Sequence, residues 1–347
     1  MITRPPLLLS FCLVVLLLSA CKDKGNPVNG QKTGRGKIVF VILDTTAHRS
    51  FIYKMDLNGG NVTQLMFASE ILDTVRGMPR SRGAGSEPRW SPDGKRIVYS
   101  ESLGPDESHI VMMNEDGSNK KVLTPVGGYC IRPKWSPQGD RILYLRGAYM
   151  GAIIATSIVD TNGNSFDIHL APESRVFEGD SVFYNLGDSQ WYQDGQHLYV
   201  WGSIGERPMI PVCGQNPKGE IFLLNVGTGR TLNRLTRNTV DECGFEISPD
   251  GIHILFFRGP YQTDRKIYLM SLTDSVATPI TNGKNDHWPR WSDDGKLIVY
   301  VKDEDDSPWN DPYFSNRIYV VKPEQPFKEI RMSPLVANDP DLFVDLR

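Results

Sequence analysis

Apolar and polar residues alternate along five short runs of the chain, and a turn that contains glycine precedes each run. The alternation has a period of two, and its apolar members are mostly β-branched or aromatic, which is typical of strands. Strand-like sequence on both sides of a tight turn predicts a hairpin at each place. The five runs occupy residues 96–99, 141–144, 197–200, 253–256 and 297–300.

The five turns share one sequence pattern, which the first copy shows in full as Trp90-Ser91-Pro92-Asp93-Gly94. Proline presets φ for a tight turn, aspartate can bond its own backbone, and glycine supplies the positive φ with which the chain re-enters a strand. The copies begin at intervals of 45, 56, 56 and 44 residues, the period of a repeated four-stranded unit, which predicts a β-propeller. The other copies begin at Trp135, Trp191, Ile247 and Trp291.

The strand count predicts an all-β, six-bladed β-propeller of four-stranded antiparallel blades. Five repeats supply five blades, and residues 37–66 supply three strands of a further blade without its inner strand. An open ring would leave an unpaired strand edge. The one unassigned apolar run is residues 341–345, so we predict that this carboxy-terminal strand closes the ring.

The repeat tryptophans are predicted to pack between blades, because they occupy one repeated position beside the turn; a ligand site made of indoles is the alternative. Pro88, Pro133 and Pro289 each stand two residues before a repeat tryptophan. Proline lacks an amide donor and belongs on a sheet edge. The strand that precedes each turn is therefore expected to be the channel-facing one.

The W-S-P-D-G-K-x-I-x-Y pattern resembles the propeller repeats of the TolB family over roughly residues 37–335. The resemblance implies a propeller fold, but the repeat carries no catalytic residue and says little about function. TolB proteins have a separate amino-terminal domain before the propeller, for which this sequence has no room. The resemblance therefore does not imply that the TolB partners are shared.

The amino terminus is predicted to be a lipoprotein signal peptide, residues 1–20, because a short apolar core follows a single charge, Arg4. Leu18-Ser19-Ala20-Cys21 resembles the bacterial lipobox, which implies that Cys21 is lipidated and becomes the first mature residue. An ordinary signal peptide with an incidental cysteine is the alternative. Residues 21–36 then form the lipidated cysteine and a flexible tether, and residues 37–347 the propeller. The predicted location is the bacterial cell envelope, lipid-anchored in a membrane and facing the periplasm or the surface.

The charge balance argues against a nucleic-acid partner. The chain has 38 Lys and Arg against 41 Asp and Glu, a formal net charge of −3, which is not the profile of a polyanion-binding protein. We expect one monomeric propeller rather than two domains, because no composition break interrupts the repeats.

Every long connection falls on one predicted face, and long loops on a rigid scaffold commonly carry binding residues. These connections are residues 67–86, 171–187, 202–219 and 302–317. Arginine and aromatic side chains are frequent anchors of interfaces. The predicted binding residues on this face are Arg76, Arg132, Tyr149, Arg175, Arg207, Tyr261, Trp288, Trp309 and Tyr313.

The remaining chemistry-bearing residues predict a disulfide but no cofactor or metal. Cys213 and Cys243 both fall on the long-loop face, so we predict that they pair in the oxidising envelope and that Cys130 stays free. The histidines show no H-x-H or H-E-x-x-H spacing, and the acidic residues 303–306 lack the spacing of an EF-hand loop.

The sequence is compatible with two functions. The first is a non-catalytic binding scaffold for an envelope protein or a glycan, which works through the long-loop face. The alternative is a propeller-type carbohydrate-active enzyme, a lyase or hydrolase with its site at the channel mouth. No G-x-S-x-G elbow, P-loop or dinucleotide fingerprint is present, no catalytic residue can be assigned, and the sequence favours the scaffold.

Overall fold

Short antiparallel strands and tight turns make up nearly all of the computed structural model. It describes residues 37–44, 49–65, 72–75, 78–81, 84–104, 107–125, 128–147, 153–205, 219–237, 244–258, 265–274, 276–283, 286–303, 316–332 and 344–346. All of these residues belong to one compact unit, Arg35–Arg347. The helical part of the described chain is a short 3₁₀ helix, Pro172–Arg175, so the fold is nearly all β.

The described strands form successive antiparallel meanders, most of them four-stranded, and a parallel pairing of Tyr129 with Ser108 joins two of these meanders in one eight-stranded sheet. Meander 1 contains β1 (Lys37–Asp44), β2 (Arg49–Asp56) and β3 (Thr63–Gln64), and β4 (Leu72–Val75) and β5 (Met78–Ser81) follow as a separate hairpin. Meander 2 contains β6 (Ala84–Trp90), β7 (Arg96–Gly104), β8 (Glu107–Asn114) and β9 (Lys121–Val122). Meander 3 contains β10 (Tyr129–Trp135), β11 (Arg141–Gly147), β12 (Ile153–Asp160) and β13 (Ser165–Asp167).

The second half of the chain repeats this order. Meander 4 contains β14 (Val176–Phe177) as an added edge strand, then β15 (Asp180–Trp191), β16 (His197–Ile204), β17 (Gly219–Asn225) and β18 (Thr231–Arg234). Meander 5 contains β19 (Glu246–Ile247), β20 (His253–Arg258), β21 (Lys266–Ser271) and β22 (Ala277–Pro279). Meander 6 contains β23 (Asp286–Trp291), β24 (Ile298–Asp303), β25 (Asn316–Val321) and β26 (Ile330–Arg331). β27 (Val344–Leu346) pairs with β1 as the fourth strand of meander 1.

Two of the predicted long loops contain strands, which corrects the sequence interpretation. Residues 67–86 include the β4–β5 hairpin and the beginning of β6, and residues 171–187 include the 3₁₀ helix and the β14–β15 hairpin. The second hairpin turns through Glu178 (φ 53°) and Gly179 (φ 90°). Positive φ at both central residues is the tight turn that matches the twist of paired strands. The sequence does not predict this hairpin, because a two-residue turn is hard to recognise when no alternation of apolar and polar residues flanks it.

Apolar clusters join each meander to the next. Five clusters connect consecutive meanders from 1 to 6. The sixth connects meander 6 to meander 1 and comprises Ile38, Phe40, Met55, Val299, Val301, Ile318 and Val320. The core of the fold therefore lies between the faces of neighbouring meanders. Each fully buried large apolar side chain there stabilises the fold by about 1.5–3 kcal/mol.

The repeat turn is closed by its own side chains. Ser91 Oγ lies 2.6 Å from Asp93 Oδ1 and accepts a hydrogen bond from the Arg96 amide (3.0 Å). Gly94 has φ 59°, the left-handed conformation that the pattern predicts for this glycine. The hydroxyl of Ser91 lowers the pKa of Asp93, which keeps the aspartate ionised as an acceptor.

Arginine side chains tie consecutive turns together. Arg96 of meander 2 donates from Nη2 to the Gly139 carbonyl of meander 3 (2.9 Å), and its guanidinium lies 4.9 Å from the ring centroid of Trp135. Arg141 repeats this stacking on Trp191 at 5.2 Å. Such cation–π contacts contribute about 0.5–1 kcal/mol each at exposed sites.

Candidate functional site

A cavity of about 230 Å³ lies between the inner strands of meanders 2 to 6. The inner strand of each meander is the one that precedes the repeat turn: β6, β10, β15, β19 and β23. The cavity walls consist of the repeat tryptophans and the equivalent Ile247, the beginnings of the turns in four of the meanders, and, in meanders 2 to 5, the residue before the tryptophan or Ile247. The polar side chains among them are Arg89, Lys134, Gln190, Glu246, Ser292 and Asp293.

The tryptophans hold the inner strands in place. Their exposed fractions are 5–9%, and they pack in the clusters between consecutive meanders, as the sequence predicts. Trp135 Nε1 donates to the Arg89 carbonyl (3.2 Å), and Trp191 Nε1 donates to the Lys134 carbonyl (3.1 Å). These two indoles therefore fix the backbone of Arg89 and Lys134, whose side chains line the cavity.

Meander 5 has Ile247 where the other repeats have tryptophan, so it lacks an indole that could donate to meander 4. The side chain of Gln190 connects the two meanders instead. Gln190 Oε1 accepts from the Ile247 amide (2.9 Å), and its Nε2 donates to Glu246 Oε2 (2.7 Å). Gln190 is only 8% exposed. A side chain from meander 4 thus replaces the indole that meander 5 lacks.

The charges of the cavity are separated by side. Arg89 and Lys134 come from meanders 2 and 3, whereas Glu246 and Asp293 come from meanders 5 and 6. Lys134 Nζ donates to the Ser189 carbonyl (2.6 Å), which holds the ammonium group in place. Basic lining side chains thus come from meanders 2 and 3 and acidic ones from meanders 5 and 6, where Arg290 Nη1 lies 3.4 Å from Glu246 Oε2 and offsets part of the acidic charge.

Three inner strands carry a β-bulge at the same position, three residues before the repeat tryptophan. The register shifts between residues 86 and 89, 131 and 134, and 287 and 290. Glu87, Arg132 and Trp288 lie in these bulges with φ of 54°, 56° and 54°, each directly before a proline. We call this side of the inner strands the bulge end, and the side with the repeat turns the turn end.

A non-glycine residue in the left-handed region costs about 1–3 kcal/mol, and such residues cluster at functional sites. In meander 5 the equivalent position is Gly244, with φ 67°. Glycine adopts this conformation without steric cost. The repeat therefore accommodates glycine at this position, and the three larger side chains are retained at a cost in stability.

Glu87 connects two of the bulges. The Arg132 backbone amide donates to Glu87 Oε2, and Arg132 Nε lies 3.7 Å from Glu87 Oε1. The Glu87 side chain is 9% exposed and that of Arg132 47% exposed. Burial raises the pKa of Glu87, and the positive charge of Arg132 opposes the shift. The pair presents a guanidinium to solvent above a buried carboxyl.

Asp286 is a second buried acid at the bulge end, where it begins β23. It is fully buried, and Gly283 N donates to its Oδ2 (3.1 Å). Burial raises the pKa of Asp286 to about 6, although Lys302 opposes the shift. Lys302 itself pairs with Glu329 at 2.6 Å.

The structure describes three of the predicted binding residues. Arg132 and Trp288 occupy equivalent bulges in meanders 3 and 6, whereas Arg175 ends the 3₁₀ helix between meanders 3 and 4 and is exposed. The other six, and the predicted lipid and disulfide positions, lie outside the described residues: Arg76, Tyr149, Arg207, Tyr261, Trp309, Tyr313, Cys21, Cys213 and Cys243.

Sequence reasoning did not single out Glu87 or the cavity side chains. The available signal is the repeated proline two residues before the tryptophan, because each of these prolines directly follows a bulge residue. Cys130 is a buried free thiol whose pKa burial raises.

No group of three or more His, Cys, Asp or Glu in the described part of the chain is arranged to hold a metal ion. Among the same residues, no helix has the length and apolar character needed to cross a membrane.

Comparison with known proteins shows a similarity in sequence to a peptidase. No family model matches the chain. Dipeptidyl-peptidase 5 from Porphyromonas endodontalis is 24% identical over 334 residues, which cover 86% of this chain and 43% of that protein. The chain thus spans less than half the length of this curated relative.

Solved structures with the same architecture are TolB-like β-propellers. TolB from Acinetobacter baumannii has a TM-score of 0.60 and 16% identity, with 90% of this chain and 66% of that chain covered. Putative TolB from Agrobacterium tumefaciens has a TM-score of 0.52 and 17% identity, with 90% and 98% covered. Oligogalacturonate lyase from Vibrio parahaemolyticus has a TM-score of 0.50 and 14% identity, with 82% and 77% covered. At these identities the likeness shows the fold, a TolB-like β-propeller.

Proposed function

We propose that this protein is a non-catalytic binding scaffold of the bacterial cell envelope, which holds an envelope protein or a glycan at the bulge end of its inner strands. The observation that carries the proposal is the strained conformation of Glu87, Arg132 and Trp288 at one repeated position. Gly244 shows that the repeat accommodates glycine there, so stability does not explain the larger side chains. An acid, a base and an aromatic ring together suit recognition of a polar surface.

For the architecture we propose six blades in one ring, closed by the carboxy-terminal strand. The pairing of Ile38 with Leu346 and the apolar cluster between meanders 6 and 1 support this arrangement. Deletion of residues 339–347 should then lower the melting temperature of the whole propeller. An unchanged melting temperature would contradict closure by this strand.

For the location we propose a lipid anchor on Cys21, which the Leu18-Ser19-Ala20-Cys21 sequence supports. Two or three acyl chains hold a protein on a membrane, whereas one chain binds only marginally. Metabolic labelling with an alkyne fatty acid should mark the wild-type protein and leave Cys21→Ser unlabelled. Equal labelling of both would remove the proposed anchor.

The binding proposal is tested by crosslinking in cells with the tagged full-length protein. The double variant Arg132→Gly/Trp288→Gly is compatible with the backbone conformation of the bulges. It removes the exposed side chain of Arg132 and the half-buried side chain of Trp288. We expect a specific envelope protein or glycan on the wild type that the double variant loses. Arg230→Ala is the matched control, because Arg230 is exposed and lies between β17 and β18, outside the inner strands. Identical crosslinks in the wild type and the double variant would contradict the proposal.

A second candidate is an enzymatic role, which the similarity to a peptidase in sequence and to a lyase in fold supports. The buried Glu87 is its candidate proton donor, because burial raises the pKa of that carboxyl. Purified full-length protein would be assayed with dipeptidyl arylamides and with oligogalacturonate. Turnover that Glu87→Gln abolishes, at unchanged melting temperature, would favour the enzyme over the scaffold.

A further inference from the structure

The guanidinium group of Arg132, at the bulge end, has no hydrogen-bond acceptor among the described residues. The hydrogen bond that Arg132 donates to Glu87 comes from its backbone amide, and Glu87 Oε1 lies 3.7 Å from Nε of the side chain. The side chain of Arg132 is 47% exposed. Arginine has five N–H donors in a planar fork that fits two oxygens of one acid group. Solvent and ligands can therefore reach these donors.

The carboxyl group of Glu87 is surrounded by more than one arginine. Burial raises the pKa of Glu87 and favours its uncharged form, whereas the positive charges of Arg132, Arg89 and Arg290 lower that pKa. Arg290 also pairs with Glu246 at 3.4 Å, so three arginines share two carboxyls. Arg132 is the exposed one of the three. The excess of arginine over acid favours a further carboxylate at this exposed side chain.

Tyr129 supplies a second donor beside Arg132. It begins β10, the strand that carries Arg132, and its side chain is half-buried. Burial and the negative charge of Glu87 raise the pKa of Tyr129, and the positive charge of Arg132 lowers it, so the phenol lies near both groups. A phenol with a raised pKa keeps its O–H at neutral pH and can donate to an anion. An arginine fork and a phenol O–H together favour a carboxylate over an uncharged group.

The backbone at Arg132 is fixed before a ligand arrives. Arg132 has φ 56° within the bulge of β10, its amide is held by Glu87, and the buried Pro133 follows it. A group that is ordered in advance loses less entropy on binding. A strained backbone conformation of this kind is typical of functional sites.

We infer that Arg132 and Tyr129 form a subsite for the carboxylate group of a ligand at the bulge end. The carboxylate accepts hydrogen bonds from the guanidinium of Arg132 and from the phenol O–H of Tyr129, and Glu87 competes with it for the positive charge. Acidic side chains of a peptide and uronic acid units of a glycan both carry this group. The inference rests on the proposed function, because it names the chemistry that the bulge end recognises.

The test compares matched acids and amides on the purified full-length protein by isothermal titration calorimetry. N-acetyl-L-aspartate methylamide and D-glucuronate each carry one carboxylate, and N-acetyl-L-asparagine methylamide and D-glucuronamide carry an amide in its place. We expect at least one acid to bind at least about tenfold more tightly than its amide. The acid that does so identifies a peptide or a glycan as the source of the carboxylate. No preference for either acid up to about 10 mM would overturn the inference.

Four variants assign the carboxylate to this subsite. Arg132→Gln should abolish the preference for the acid at an unchanged melting temperature, and Tyr129→Phe should weaken the acid about threefold. Glu87→Gln keeps an acceptor for the Arg132 amide and removes the competing charge, so it should tighten the acid about threefold and leave the amide unchanged. Arg230→Gln, an exposed arginine that pairs with Glu173 outside the inner strands, should change neither affinity. Equal or weaker binding of the acid to Glu87→Gln than to the wild type would contradict the inference.

The inference and the proposed function can fail separately. If Arg132→Gly/Trp288→Gly loses its crosslinks in cells while acids and amides bind alike, the scaffold stands and the carboxylate subsite is wrong. If the preference for an acid depends on Arg132 while the crosslinks persist in the double variant, the subsite stands and the proposed scaffold site is wrong.

Discussion

The turn end and the bulge end of the inner strands differ in how similar their residues are from one meander to the next. At the turn end nearly every meander has the same residues, and their hydrogen bonds close within the fold, as with Ser91 and Asp93. At the bulge end the equivalent positions hold an acid, a base, a tryptophan and a glycine in the same left-handed conformation. The turn end therefore repeats its side chains from meander to meander, whereas the bulge end repeats only its backbone conformation.

This difference separates the residues that stabilise the fold from those available for binding. Trp135 and Trp191 each donate to the preceding meander and so contribute to the stability of the fold. A strained non-glycine residue lowers stability wherever it occurs, so its retention needs another explanation. Substitutions at the turn end should therefore lower the free energy of unfolding, whereas substitution of a strained residue by glycine at the bulge end should change it little or raise it.

Trp191→Ala at the turn end should have the largest effect. The indole packs with Leu143 and Leu198 and bonds to the Lys134 carbonyl, so its loss should lower the free energy of unfolding by about 3–5 kcal/mol. Urea denaturation measures this value. A loss below about 1 kcal/mol would break the distinction between the two ends.

Asp286→Asn at the bulge end should raise stability in a pH-dependent manner. The pKa of Asp286 is raised from 3.8 to about 6 by burial, so above pH 6 the folded protein carries a buried charge that the unfolded chain ionises freely. The stability of the wild type should fall relative to Asp286→Asn as pH rises from about 4 to 6, by up to about 3 kcal/mol. Urea denaturation at several pH values, with the exposed Asp274→Asn as control, measures the difference. A difference that does not vary with pH would contradict the account.

Gln190→Ala should lower the free energy of unfolding by about 1–3 kcal/mol, because it leaves the half-buried Ile247 amide without its acceptor. Gln190→Glu retains an acceptor oxygen but places a second acid beside Glu246, so it should not restore stability. If Gln190→Ala matches the wild type in urea denaturation, Gln190 does not replace the missing indole.

Arg132→Gly should change the free energy of unfolding by no more than about 1 kcal/mol. Relief of the left-handed strain opposes the loss of the Glu87 contact and the added flexibility of the unfolded chain. The Arg132 amide that donates to Glu87 is retained in glycine. Arg132→Ala keeps the strain and is the matched control, so it should be less stable than Arg132→Gly. The reverse order would contradict the strain argument.

The hairpins, the buried tryptophans and the strand near residue 345 could be predicted because turn residues and apolar alternation are local signals. The bulges could not, because a register shift depends on the partner strand and on contacts such as Glu87 with Arg132. Prolines 88, 133 and 289 mark these places, but proline alone indicates an edge and not a bulge. The cavity combines residues from five meanders, so its lining is defined only when the meanders are brought together.

The most direct test of the central claim is the free energy of unfolding of Trp288→Gly in urea at pH 7. If the tryptophan is retained for binding, glycine at φ 54° relieves strain, and the variant should be as stable as the wild type or more stable by about 1 kcal/mol. A loss of more than about 2 kcal/mol, as expected for a core residue, would show that the bulge end stabilises the fold and would contradict the account.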